Sequence, residues 1–273
     1  MKGFAMDNII DCHTHIQDGS FSPDRQAVIQ RALDAGITHL VVNGTSPEDW
    51  DEVLDYPNQF PSVIPCIGLH PWFINEVDDN WLDLLEQKLK LSSNAQIGEI
   101  GLDQYIEDRD EDTMEGVFRE QLNLAEKLGR SVSVHCLKAH GWLQSVLADQ
   151  GIPSAGMMLH GFSGSAEIVK QLSSKYDNLY FSFAGNVLDT SRKKSREAIK
   201  AVPDDRLLIE TDAPYMMPPD EYIIEGEDPE GNTRNEPSNL AQILPGIADI
   251  LGIHQDDLAQ QLYKNTKRLF PLK

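Results

Sequence analysis

Apolar residues along the chain fall into two alternating kinds of run. Short stretches rich in Val, Ile and Leu recur at residues 8–15, 38–45, 62–71, 95–103, 131–136, 156–164, 179–185 and 206–214. Their length and β-branched content predict strands. Between them lie amphipathic stretches with helical spacing. Met114, Phe118, Leu122 and Ala125 are one such stripe, with Asp112 as its expected N-cap and Gly129 as its stop. Ser22-Pro23 offers a second cap, with proline at the first helical position. After the last strand, residues 222–235 are rich in acids, Gly and Asn and read as a long loop, and 237–251 and 254–270 read as helices.

Strands that alternate with helices pair in parallel through right-handed crossovers, giving the α/β class. Eight such units close into a (β/α)8 TIM barrel more naturally than they form an open sheet. A doubly wound sheet would carry a Gly-rich phosphate loop after its first strand, and no such loop is present. A length of 273 residues suits one barrel domain spanning 1–273. Chemistry is then expected at the C-terminal ends of the strands.

Composition narrows the class. With 40% hydrophobic and 25% charged residues, the chain reads as a soluble globular protein large enough to bury a core without disulfides. Cys12, Cys66 and Cys136 are odd in number and form no CxxC pair, so they read as reduced thiols. Residues 1–7 hold no apolar run of signal-peptide length, and no stretch reaches the ~18 apolar residues of a membrane helix. A cytoplasmic protein is expected, with neither a membrane nor an obligate protein partner. The net charge of −21 argues against an extended basic groove for nucleic acid, and no basic cluster stands out. Any polyanionic substrate must be gripped locally, for example through metal ions.

The candidate chemistry interrupts the strands. Asp11, His13 and His15 recur at every second position, so strand alternation puts them on one face. Two such imidazoles can hold one ion, and Asp11 is a candidate to hold a ring N–H behind them. Glu99 and Asp103 share a phase in the fourth strand, His135 ends the fifth, His160 follows in the sixth, and Asp212 closes the eighth. A lone histidine in a strand is more often a core residue than a ligand, and His39, His140 and His254 are read that way. Six inward-facing ligand-type side chains, His13, His15, Glu99, His135, His160 and Asp212, are hard to bury together without cations. His70, in Gly68-Leu69-His70-Pro71, sits on the same end without a place in that set and is expected to contact substrate or transition state.

These residues, in this order, resemble the TatD family of metal-dependent deoxyribonucleases within the amidohydrolase-like barrels. The matching pieces are Asp11-Cys12-His13-Thr14-His15, Gly98-Glu99-Ile100-Gly101-Leu102-Asp103, Val134-His135-Cys136, His160-Gly161-Phe162-Ser163-Gly164, Glu210-Thr211-Asp212-Ala213-Pro214 and Arg234-Asn235-Glu236-Pro237. The resemblance implies two divalent metal ions (Mg2+, Mn2+ or Zn2+): one held by His13, His15 and Asp212, a second by His135 and His160, with Glu99 bridging. It also implies hydrolysis of DNA phosphodiester bonds, as a 3′–5′ exonuclease on DNA ends or single strands, by a water activated between the ions. Asp212, Glu99 and His70 would be catalytic, and His70, Arg234, Asn235 and Glu236 would bind substrate. One departure stands out: many members carry an arginine two residues after the strand-five histidine, where this chain has Leu137, and Lys138 or a lysine in a nearby loop is expected to compensate as a point charge. The alternatives are a small-molecule amidohydrolase cutting an amide, lactone or phosphoester on the same metal site, and a metal-binding scaffold without catalysis.

Overall fold

The computed structural model describes residues 8–108 and 110–272, so the expectation drawn from residues 1–7 lies outside the described residues. Eight parallel strands stand in one sheet in sequence order. They are β1 (Ile9–Thr14), β2 (Ile37–Asn43), β3 (Val63–Ile67), β4 (Gln96–Asp103), β5 (Val132–Leu137), β6 (Met157–Leu159), β7 (Leu179–Phe183) and β8 (Leu207–Ile209). The ring closes beyond β8, where the Asp212 amide donates to the His13 carbonyl at 2.9 Å and the His15 amide to the Ala213 carbonyl at 2.8 Å. This is the expected (β/α)8 barrel.

The helices α1 (Arg25–Asp34), α2 (Trp50–Gln59), α3 (Trp81–Leu91), α4 (Glu111–Leu128), α5 (His140–Gln150), α6 (Ala166–Ser173) and α7 (Lys193–Lys200) fill the crossovers. Two more, α8 (Leu240–Leu251) and α9 (Gln255–Leu269), follow β8. The helices turn residues such as Val28, Leu85, Phe118 and Leu143 onto the strands in one large apolar core. A smaller core joins Ile10, Cys12 and Cys66 to Leu269 and Phe270. Cys12 and Cys66 are buried, Cys136 is partly buried, and all three are free thiols.

Three expectations about local structure shift. The cap of α4 is Asp110, which accepts from the Thr113 amide, rather than Asp112; Gly129 ends that helix in the left-handed conformation as expected. Ser22 ends a 3-10 turn, and α1 starts at Arg25, because the preceding Asp24 commits a carboxylate oxygen to Arg31 and Arg234 instead of capping. β6 and β8 are only three residues long. Gly161 (φ +49°) and Asp212 (φ +54°) adopt left-handed backbone, which no strand accommodates, so His160–Gly164 and Glu210–Pro214 become loops at the strand ends. That is where barrel folds place chemistry.

Candidate metal centre

The six expected ligands meet at these ends. Glu99, buried in β4, is the hub. One carboxylate oxygen, Oε2, lies 3.2 Å from both His13 Nε2 and His15 Nε2. The other, Oε1, lies 2.8 Å from His160 Nε2, 3.0 Å from His135 Nδ1 and 3.2 Å from His70 Nε2. Asp212 Oδ1 stands 3.4 Å from His15 Nε2 and 3.7 Å from His13 Nε2. Gly101 makes the approach of β4 to β5 possible: its φ is +152°, and a Cβ there would sit 2.0 Å from the His135 carbonyl oxygen.

The far side of each imidazole decides what the near side can do. His15 Nδ1 is 2.9 Å from the Asn43 carbonyl, which only accepts, so that nitrogen carries the proton and Nε2 presents a lone pair. His135 Nε2 faces the Asp103 carboxylate at 3.2 Å, leaving Nδ1 as a lone pair toward Glu99. His13 Nδ1 is held by Ser133 Oγ at 2.9 Å. Lone pairs thus face carboxylates, and Asp212 Oδ1 is buried without any hydrogen-bond partner. Only a cation or a proton relieves such an arrangement. Donors bound to one ion at about 2.0–2.2 Å are separated by roughly 3–3.5 Å, and the separations here, from 2.8 to 3.7 Å, lie around that range. The donor set fits divalent metal.

His70 differs from the others. The Trp72 amide donates to His70 Nδ1 at 3.2 Å, so the neutral ring carries its proton on Nε2 and donates toward Glu99. It groups spatially with Glu99 and His135 as a possible ion site, but its tautomer makes it a donor rather than a ligand.

Electrostatics follow the same division. Burial first, and then the neighbouring His160, push His13 down to about 3, and burial pushes His70 down to about 4. Burial acts the same way on His15, but the Asp212 and Glu99 carboxylates beside it outweigh it and raise that ring to about 10. In His15 a proton takes the place a cation would fill. Burial works against ionised Glu99, yet the surrounding imidazoles, His160 and His70 foremost, hold it well below the usual carboxylate range.

The structure corrects three expectations. Asp11 does not hold a ring N–H: it accepts from the His13 and Thr211 amides and from Thr211 Oγ1, bracing β1 against the loop that carries Asp212. Burial raises its carboxyl to about 8. Arg234, Asn235 and Glu236 are buried and line none of the cavity over the metal centre. Arg234 pairs with Asp24 and Glu236, Arg31 chelates Glu236 from the other side, and Asn235 donates to the Thr211 and Tyr215 carbonyls. Apart from Arg234 Nε, which has no hydrogen-bond partner, their side-chain groups bond within the chain and brace the Asp212 loop from outside that cavity. Lys138 lays its ammonium over the Tyr105 ring, 4.4 Å from the centroid, and does not line that cavity.

Sequence reading missed Asp103, Ser133 and the Asn43 carbonyl as the groups that orient ligands. Asp103 alone carried a signal, four residues after Glu99 in the same phase. It also missed Trp72, which walls the cavity, anchors its indole N–H on Asp103 at 2.8 Å and leaves its face 55% exposed. The cavity holds about 430 Å³. Beyond the metal centre its lining includes Asp18, Asp49, Trp72 and Tyr215, and among the described residues no Lys or Arg lines it.

A family model described as TatD related DNase matches residues 10–271. The chain is 30% identical to the metal-dependent hydrolase YabD of Bacillus subtilis, covering 96% of this chain and 98% of that one. It is also 30% identical to the 3′–5′ ssDNA/RNA exonuclease TatD of Erwinia tasmaniensis, over 97% and 100% of the two chains. The crystal structure of YjjV, a TatD homologue from Escherichia coli K12, superposes with a TM-score of 0.88 at 28% identity, covering 98% of this chain and 100% of that one.

Proposed function

The chain belongs to the TatD related DNase family and is a metal-dependent hydrolase; from that premise we propose that it removes nucleotides from the 3′ end of single-stranded DNA. The observation that carries this reading is the pair of donor sets on the two oxygens of one buried carboxylate, Glu99. His13, His15 and Asp212 would hold one divalent ion and His135 and His160 a second, with Glu99 between them. Imidazole-rich ligation suits Mn2+ or Zn2+ better than Mg2+. When bound, the ions lower the pKa of a water and neutralise charge on the phosphodiester.

The chain's own groups do the rest. Asp212, whose Oδ1 is buried beside His13 and His15 with no hydrogen-bond partner, takes the proton of the attacking water. The water oxygen bonds to phosphorus as the bond from phosphorus to the preceding nucleotide's 3′ oxygen breaks. Neutral His70 donates its Nε2–H to a phosphoryl oxygen in the same cavity. Trp72 and Tyr215, about half exposed at the mouth, offer faces for a terminal base.

A second reading, a small-molecule amidohydrolase, is favoured by one observation: among the described residues the cavity over the metal centre is lined by acids and by no Lys or Arg. A substrate panel separates the two. Single-stranded DNA labelled at either end, duplex DNA, RNA, a simple phosphodiester, a lactone and an amide are each tested with Mg2+, Mn2+ and Zn2+. Stepwise shortening of single strands from the 3′ end is the expected result. Turnover of only the lactone, amide or simple ester overturns the nuclease reading.

A further inference from the structure

We infer that Arg192, Lys193 and Lys194, at the start of α7, form a phosphate-binding strip that holds a single strand as it leaves the metal centre. The inference rests on the nuclease reading above. Its starting point is a second cavity of about 370 Å³ that opens off the first. The two share His135, Leu137, His160 and Met216. The second then runs on to Ser163, Asn186, Arg192 and Ser195, hydrogen-bonding groups on the rim above β6 and β7. A ligand bonded at the metal centre and too long for the first cavity has a continuous wall to follow, and a cation stands along it.

Three features separate this run from an ordinary solvated helix face. Arg192, Lys193, Lys194, Arg196 and Lys200 are five of the chain's 23 Lys and Arg residues, gathered into nine positions of an otherwise acidic sequence. Many cations elsewhere are paired, as in Arg25–Glu52, Lys88–Asp51, Arg119–Glu115 and Arg206–Asp177. Among the described residues, no carboxylate lies within ion-pair distance of Arg192, Lys193 or Lys194. The nearby acid, Asp189, turns its carboxylate to the Ser191 amide at 2.8 Å. Arg196 donates to the Leu188 carbonyl and Lys200 pairs with Glu197, which leaves the first three as the free charges.

The third feature is their position against the helix dipole. α2, α3, α4, α6 and α9 carry Asp or Glu in the first turn, where the helix N-terminus favours negative charge. α7 begins instead with Lys193 and Lys194 behind Arg192. Among the described residues only the field of Asp189, which reaches Arg192, offsets this placement, and local rules are broken in this way at functional sites. A row of phosphates supplies the missing negative charge. The strip also takes the place of the positive charge missing at Leu137, which lines the same cavity as Arg192.

The test compares the full-length protein with R192Q/K193Q/K194Q and with a control, K170Q/K175Q/K264Q, that removes three exposed lysines lining neither cavity. Binding of labelled oligothymidylates of three and nine nucleotides is read by fluorescence anisotropy in an Asp212→Asn background, so that the strands stay whole. Cleavage is read in the native background. The expected result is nonamer binding weakened about tenfold or more, and a log–log salt slope shallower by about 2, since each of three single-strand phosphate contacts contributes about 0.7. The trimer should change far less, the control should match the native protein, and thermal stability should not fall. An unchanged nonamer Kd and salt slope, in a protein that still degrades single strands, overturns this inference alone. Equal losses on trimer and nonamer with a lowered Tm also overturn it, by making the run structural. Failure of the native protein to bind or cleave either strand removes the nuclease reading and the strip with it.

Discussion

The two cavities share four residues and little else. The first is walled by imidazoles, carboxylates and aromatic rings, with no Lys or Arg among the described residues that line it. The second continues from it along serines, an asparagine and Arg192, beside the exposed Lys193 and Lys194. In the first, burial amplifies each charge, and the groups shift one another far from their solution behaviour, as the opposite displacements of His13 and His15 record. In the second, the cations stand in water, where they can attract a polyanion but cannot polarise a bond. On the proposed reading, bond cleavage and retention are separate tasks on adjoining surfaces. A chain with a net charge of −21 needs positive charge only where the strand runs.

The largest expected effect lies in the first cavity. Asp212→Asn should lower kcat by about 10²–10⁴-fold while metal content measured by elemental analysis stays near that of the native protein, since a general base is lost and most donors remain. Glu99→Gln should lower metal content as well as activity, because one carboxylate serves both donor sets. Full metal content in Glu99→Gln would break the bridging assignment. Near-normal turnover in Asp212→Asn would move the base elsewhere and blur the distinction between the two cavities.

The first cavity was legible in the sequence and the second was not, for a physical reason. Metal donors at strand ends must alternate with the pleat and arrive in a fixed order, so Asp11, His13, His15 and Glu99 stand out against β-branched neighbours. The eight strands were legible on the same ground. Their C-terminal limits at β6 and β8 were not, because left-handed turns at Gly161 and Asp212 leave the apolar pattern intact. Arg192-Lys193-Lys194 looks like any polar helix face until the fold sets it beside His160. The burial of Arg234-Asn235-Glu236 was not legible either, since a motif that matches the family suggested substrate contact. Burial shows that its charges are occupied within the chain.

Arg234 thus gives a cationic control outside both cavities. Arg234→Met removes a buried charge from between Asp24 and Glu236, leaving carboxylates behind. It should destabilise the fold by about 3–5 kcal/mol, the usual cost of breaking a buried pair, which is about 10 °C in Tm for a chain of this size. KM for single strands should hold in the folded fraction. A raised KM with an unchanged Tm would return Arg234 to the substrate and weaken the case that the α7 strip supplies the grip.

Trp72 tests the first cavity for binding without charge. Trp72→Ala should raise KM for oligonucleotides about tenfold, within the roughly 1–3 kcal/mol that a stacked base contributes, and leave metal content unchanged. Its salt slope should match the native protein, whereas that of R192Q/K193Q/K194Q should not. A changed slope in Trp72→Ala would mean that phosphates bind over the first cavity after all.

The smallest effect concerns the wall of the second cavity. Phe162, which lines it, packs edge-on against His140 at the start of α5, with ring centroids 5.4 Å apart. Burial, and then the field of Lys194, hold the His140 imidazole down at about 4, and its Nε2 has no hydrogen-bond partner. An unfolded histidine titrates near 6.5, so below that pH the unfolded chain binds a proton that the folded protein refuses. The sign follows: His140 contributes nothing to the pH dependence above about 6.5, and stability falls as pH drops from there toward 4. Between about pH 7.5 and 5 the loss is roughly 1–2 kcal/mol, or about 4 °C in Tm. His140→Leu keeps an apolar partner for Phe162 and removes the titration. Its Tm should therefore fall by about that much less than the native Tm over the same interval, the difference cancelling the metal-site groups common to both. Lys194→Gln should move the His140 titration, followed by proton NMR, upward toward its ordinary range. Equal acid losses in the two proteins would show that this wall is wet. The second cavity would then be a looser surface than the first in its packing as well as in its charge.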